Sequence, residues 1–167
     1  MAKIILNGCF GGYGWSKKGI LAVLQKKNFK NLKFFATVYP TPGNRKTIQI
    51  SEQEFLQFEE HRRTSTGCYI GSVYIEDETG KEWSDFDINR EDPDAIAVLE
   101  ERGAKFCSGD YSDLYIEDYD ENLFVASIDE YDGVETLRLS PNLSEESIRA
   151  CKNIDEIVEL LKATGAI

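Results

Sequence analysis

The sequence predicts a single α+β domain over residues 1–167, a mixed and mainly antiparallel sheet with four to five helices packed on it. Three observations lead there. Stretches with strand-like alternation are interleaved with stretches of helical apolar spacing, without the strict βαβ order of a parallel sheet. Several helix starts and stops carry recognisable caps. The chain has 167 residues, 41% of them hydrophobic, enough to bury one sizeable core, and no repeat or linker divides it.

The elements follow in order. "KIIL" (3–6) reads as a short buried strand ending at Asn7-Gly8. Ser16 is placed to cap a helix over about 17–29, in which Ile20, Val23 and Leu24 form an apolar stripe. "LKFFATVY" (32–39) is rich in aromatic and β-branched residues and reads as a strand. "PTPGNRK" (40–46) reads as a loop, punctuated by Pro and Gly. Ser51 and Glu54 make a capping box that opens a helix to about His61, and 62–67 reads as a polar connector. "CYIGSVYIE" and "KEWSDFDI" form a hairpin around "DETG". Asp92 caps a helix that begins at Pro93 and stops at Gly103. "SDLYIED" and "NLFVASIDE" interleave apolar and polar residues as half-buried strands do, and Asp132-Gly133 turns the chain back into "VETLRL". Ser144 starts a short helix, and Ile154, Ile157, Val158 and Leu161 give the last helix its apolar face. Residues 138–167 read as a helical C-terminal extension.

Charge is distributed unevenly. The first fifty residues hold nine Lys/Arg and no Asp or Glu, so all thirty acids lie in 51–167. Either the two parts face different partners or they neutralise each other. An acidic bulk of this size argues against direct DNA binding. No apolar run is long enough to span a membrane, and the N-terminal apolar run is too short for a signal-peptide core. The expected compartment is therefore the cytosol. Four scattered cysteines and one histidine, His61, predict reduced, mostly buried thiols, no metal centre and no cofactor. Asp118, Asp120 and Asn122 alternate as in a calcium loop, but Leu123 stands where such a loop needs glycine. The carboxylate pairs Glu76/Asp77, Asp85/Asp87 and Glu91/Asp92 are too common a pattern to mark an acid–base site.

The stretch "ILNGCFGGYGWSKKG" (5–19) is the most informative one. A strand, then glycines, then a helix start is a recipe for holding an anion on unpaired backbone amides. Lys17 and Lys18 lie in the first helical turn, where the helix dipole disfavours cations unless an anion is bound. The same glycines also suit a turn that merely lets a helix pack on a strand. Cys9 stands where a nucleophile would, near a helix N-terminus. A buried inert thiol is the ordinary alternative.

"KIILNGCFGGYGWS" (3–16) and 88–137 together resemble a family of small bacteriophage and prophage proteins. The matching positions are Asn7, Cys9, Gly11, Gly12, Gly14 and Ser16, then Arg90, Asp92 and Pro93, then Tyr131, Asp132 and Gly133. Trp15 replaces an aliphatic residue of the family, and two helices replace its short ending. The resemblance implies a phage accessory protein in the host cytoplasm and carries over no catalytic role. The function expected is non-enzymatic binding, or sequestration, of a small anionic, phosphorylated or nucleotide-derived ligand, as a counter to host defence. Asn7, Gly11, Gly12, Gly14, Ser16, Lys17, Lys18 and Arg90 are the candidate ligand-binding residues. Two alternatives remain open: an acidic inhibitor of a host DNA-binding protein, and a hydrolase or transferase that depends on Cys9. The sequence leaves the oligomeric state open.

Overall fold

In a computed structural model, residues 1–41, 43–58, 69–142, 148–149 and 151–163 are described. They form one α+β fold with eight strands and five helices. The strands are β1 (Ala2–Asn7), β2 (Lys33–Thr41), β3 (Asn44–Ile50), β4 (Tyr69–Glu76), β5 (Glu82–Trp83), β6 (Leu114–Tyr119), β7 (Phe124–Tyr131) and β8 (Val134–Pro141). The helices are α1 (Lys17–Lys26), α2 (Glu52–Gln57), α3 (Pro93–Arg102), α4 (Ala104–Cys107) and α5 (Ile154–Ala163). His61, the connector 62–67, Cys68 and the helix expected from Ser144 lie outside the described residues.

All strand pairs are antiparallel. A four-stranded sheet has the order β3-β2-β4-β5, and two further pairs are β1-β6 and β7-β8. The period of two along β1 decides how the layers stack. Ile5 joins the main core with α1, α3 and the four-stranded sheet, whereas Ile4 and Leu6 turn to the other side. There they meet Ala126, Ile128 and Leu137 of the β7-β8 hairpin. On β6, Leu114 and Ile116 take the first side and Tyr115 and Tyr119 the second. The β1-β6 pair is thus a middle layer between the helices and the hairpin.

Local signals held where they were strongest. Ser16 caps α1 by accepting from the Gly19 amide, and Ser51 with Glu54 completes its capping box. Asp92 caps α3 with Pro93 in its first turn. Asp132 and Gly133 take positive φ values of 51° and 88°, the twist that a two-residue hairpin turn requires. Elsewhere the boundaries moved. The expected loop 40–46 is instead the tip of a β2-β3 hairpin, and β3 itself was missed. Pro40 falls inside the register break between Val38 and Thr41, so its missing N–H interrupts no pairing there. β3 is almost wholly exposed, and its sequence therefore lacks the apolar alternation of a half-buried strand. The second hairpin strand shrinks to β5, because Ser84 donates to Asp87 through both amide and hydroxyl and folds "SDFD" into a turn.

The turn after β4 is held by Asp77. Its buried carboxylate accepts from the Thr79 amide and hydroxyl, the Lys81 amide and Trp83 Nε1, the last at 2.8 Å. Burial alone pushes this carboxyl up, but the hydrogen bonds from Thr79, Trp83 and Lys81 outweigh it and bring it down to about 2 from 3.8. The folded value lies below the unfolded one. Its contribution to stability is therefore complete above about pH 4 and is lost as the pH falls through about 2. Asp77→Asn should melt below the wild type at pH 7, and that gap should close between about pH 4 and pH 2. Equal melting temperatures at pH 7, or a gap undiminished at pH 2, would contradict this account.

Candidate functional site

The glycine-rich turn after β1 is clamped from three directions, and Asn7 is the clamp's centre. This fully buried side chain donates through Nδ2 to the Cys9 carbonyl at 2.6 Å and to the Gly133 carbonyl at 2.7 Å. Its Oδ1 accepts from the Asp113 amide at 2.7 Å, and the main-chain N–H of Asn7 donates to Glu135 Oε2 at 2.9 Å. One side chain therefore ties β1 to the 109–113 loop and to the β7-β8 turn.

The glycines make these approaches close. A Cβ on Gly11 would lie 1.6 Å from the Tyr111 carbonyl oxygen, and one on Gly133 would lie 2.6 Å from the Gly12 nitrogen. Both distances are impossible for a side chain, so backbone meets backbone at these two points. Gly12 needs its freedom for a different reason: its φ is +88° with open space around it.

The remaining candidate residues divide as follows. Gly14 is buried, and its carbonyl accepts from the Gly109 amide at 3.0 Å and from the Ser112 hydroxyl. Ser16 donates through its amide to the Cys107 carbonyl at 2.7 Å and through its hydroxyl to the Phe106 carbonyl at 2.6 Å. The last carbonyls of α4 thus abut the start of α1. Lys17 turns away from the glycines, donating to the Phe58 carbonyl at 2.5 Å, and Lys18 is exposed. Cys9 Sγ faces the Tyr111 carbonyl at 3.1 Å and Asn7 Oδ1 at 3.6 Å. Both groups are acceptors, and neither is a base or a cation that would activate a thiol.

Arg90 lies beneath the turn. Its guanidinium grips the buried Glu135 carboxylate with two bonds of 2.5 and 2.6 Å and stacks 3.7 Å from the centre of the Tyr13 ring. Tyr13 donates to the Ile88 carbonyl and accepts from Trp15 Nε1 at 2.8 Å. Burial drives the Tyr13 hydroxyl up to about 12, although the Trp15 bond and the Arg90 charge pull the other way. Tyr13 and Trp15 are therefore the turn's anchors in the core. Arg90 and Asn7 are brought together by Glu135, a residue the sequence did not single out.

What the turn presents outward is aromatic. Among the described residues the four most exposed aromatic side chains are Phe10 (71%), Phe86 (68%), Tyr111 (80%) and Tyr131 (81%). All four border this turn. Tyr111 meets Gly11, Phe86 lies by Gly14, and Tyr131 leads into the Asp132-Gly133 turn that packs on Phe10. The segments 8–14, 84–89, 108–113 and 129–134 that carry them hold seven acids and no Lys or Arg. The sequence carried only a partial signal here. Phe86, Tyr111 and Tyr131 each stand between acids, in Asp85-Phe86-Asp87, Asp110-Tyr111-Ser112-Asp113 and Glu130-Tyr131-Asp132, but so do the buried rings of Asp118-Tyr119-Asp120 and Glu82-Trp83-Ser84-Asp85.

Four of the nine basic residues of the N-terminal part pair with acids outside this turn. Lys3 pairs with Glu100, Lys26 with Glu101, Lys27 with Asp92, and Lys33 with Glu76. These pairs neutralise acids on α3, at its cap and on β4, and leave the aromatic face negative. Among the described residues no group of His, Cys, Asp and Glu is arranged to hold a metal ion. Among the described residues no helix is long and apolar enough to cross a membrane. Asp120 Oδ1, in the rejected calcium-like loop, accepts from the amide and side chain of Asn122. No family model, curated protein or solved structure matches this chain.

Two stability predictions follow from the clamp. Gly11→Ala should cost about 2–3 kcal/mol through forced backbone displacement, against about 1 kcal/mol for Gly12→Ala, which suffers only its backbone angle. Denaturant unfolding checks the order, and equal costs would refute the close approach. Arg90→Met should cost about 3–5 kcal/mol by stranding the Glu135 carboxylate, and Arg90→Met with Glu135→Leu should recover part of that loss. A double variant as unstable as the sum of its single changes would mean that the two residues are not coupled.

Proposed function

We propose that this chain is a protein-interaction module that docks a basic partner on the aromatic, acidic face around the glycine turn. The observation that carries this reading is the convergence of Phe10, Phe86, Tyr111 and Tyr131 on one rigid turn with no basic side chain in the segments that bear them. Monomeric surfaces seldom expose apolar groups together, and such a patch with a polar rim suits a binding site. Aromatic rings attract arginine and lysine through their faces, and surrounding carboxylates add long-range attraction. Rigidity also helps, since aromatic anchors on a fixed backbone lose little freedom on docking.

Small-anion binding at the same turn is less well supported. Carbonyls of Phe106 and Cys107 stand at the start of α1, Lys17 reaches Phe58, and Arg90 grips Glu135. The resemblance to phage accessory proteins supplies the setting for the interaction reading: a host protein in the bacterial cytoplasm with a positive surface, such as one that itself binds nucleic acid.

The test compares the wild type with a variant in which Phe10, Phe86, Tyr111 and Tyr131 are all alanine, so that charge is unchanged. Host proteins captured by the two forms are quantified side by side, and affinities for the retained basic proteins are measured at two salt concentrations. Loss of about 30-fold or more in the variant, with binding weakened by salt in the wild type, is expected. Equal capture by both forms would overturn the reading. So would a rise in melting temperature with nucleotides or cyclic dinucleotides that Lys17→Ala/Lys18→Ala abolishes.

A further inference from the structure

The grip that holds the turn from beneath has its parts repeated on the turn's surface. Beneath it, the Arg90 guanidinium lies 3.7 Å from the centre of the Tyr13 ring while its N–H edge donates twice to Glu135. A guanidinium does both at once because its planar face and its fork of N–H donors are separate. An ammonium is a compact, strongly hydrated charge without that division. Lys81 illustrates the difference: its Nζ lies 3.6 Å from the centre of the Trp83 ring, yet among the described residues it pairs with no carboxylate. On the surface, exposed rings and exposed carboxylates again stand together. Asp110 and Asp113 flank Tyr111, and Asp132 follows Tyr131. Among the described residues none of these three carboxylates has a hydrogen bond or an ion pair. Asp87 and Glu130, by contrast, are occupied by Ser84 and by the Gly133 amide.

Resting on the docking reading above, we propose that arginine, not lysine, carries the partner's charge at this face. The occupant is an arginine-bearing protein segment. Its guanidinium planes lie on the Tyr111 and Tyr131 rings, and their edges take Asp110, Asp113 and Asp132. Charge complementarity favours a cationic occupant, since the segments bearing the rings hold seven acids and no Lys or Arg. The rings then discriminate between the two cations. Tyr111 and Tyr131 are 80% and 81% exposed, so their faces are open to stacking. Docking strips water from those faces, and a weakly hydrated guanidinium loses less there than an ammonium. The carboxylates discriminate in the same sense, because a two-bond fork fits a guanidinium edge.

The experiment uses two labelled peptides of the same length, one alternating arginine with glycine and the other alternating lysine with glycine. Their affinities for the full chain are measured by fluorescence anisotropy at one salt concentration. The wild type should bind the arginine peptide about tenfold more tightly. Alanine at Phe10, Phe86, Tyr111 and Tyr131 should reduce that preference to about twofold or less, with the melting temperature reporting that the fold is kept. Asp110→Asn/Asp113→Asn/Asp132→Asn should weaken the arginine peptide more than the lysine peptide, and it decides the matter if the alanine variant fails to fold. Equal wild-type affinities for the two peptides, both lost in the alanine variant, would overturn the arginine assignment and leave the docking reading standing. A tenfold preference that survives in either folded variant would overturn the assignment as well. Binding of neither peptide, or of both undiminished in the alanine variant, would overturn the docking reading together with it.

Discussion

The Arg90–Glu135 pair under the Tyr13 ring is the interaction on which the rest of this structure depends. A carboxylate as buried as Glu135 is tolerable only when paired and hydrogen-bonded, and here Arg90 and the Asn7 amide supply both. The pair also joins three layers. Arg90 precedes α3, Glu135 belongs to β8, and Arg90 accepts from the Ile5 amide of β1 at its carbonyl while its guanidinium donates to the Ile5 carbonyl. The hairpin therefore docks on the middle layer in one orientation. That orientation brings Gly133 against Gly12 and Phe10.

From that docking the character of the turn follows. Its glycines look like a surplus of conformational freedom, yet at Gly11 and Gly133 they allow backbones to approach where any side chain would collide. Tyr13 and Trp15 point inward and hold the core, and Phe10 is left outside with Tyr111 and Tyr131. A turn so fixed makes a firm platform for exposed rings. Affinity for a partner then depends on the rings and the surrounding carboxylates rather than on reorganising the loop.

The electrostatics are arranged to the same effect. Surface ion pairs such as Lys33–Glu76 contribute little stability each. Their placement still decides where the net charge of −11 is expressed. Because Lys3, Lys26, Lys27 and Lys33 answer acids at α3, its cap and β4, the aromatic face keeps its negative field.

By itself the sequence determined those features whose cause is local. Ser16, Ser51 and Asp92 each cap a helix through atoms within three residues, and Asp132-Gly133 sets a tight turn by its own backbone preferences. The α+β class and the core stripe of α1 were legible for the same reason. Only the tertiary structure decided the rest, because its causes lie far apart along the chain. β3 exists because β2 offers a pairing edge, not because "NRKTIQI" prefers a strand. Asn7, Arg90 and Glu135 carried no mark of belonging together, since their hydrogen bonds span 45 to 128 positions. Acid-flanked aromatics stood plainly in the sequence at Phe86, Tyr111 and Tyr131, but also at the buried Tyr119 and Trp83. That the segments bearing Phe86, Tyr111 and Tyr131 meet at the glycine turn follows from the packing of Gly11, Gly14 and Gly133 against distant segments, which no local preference encodes.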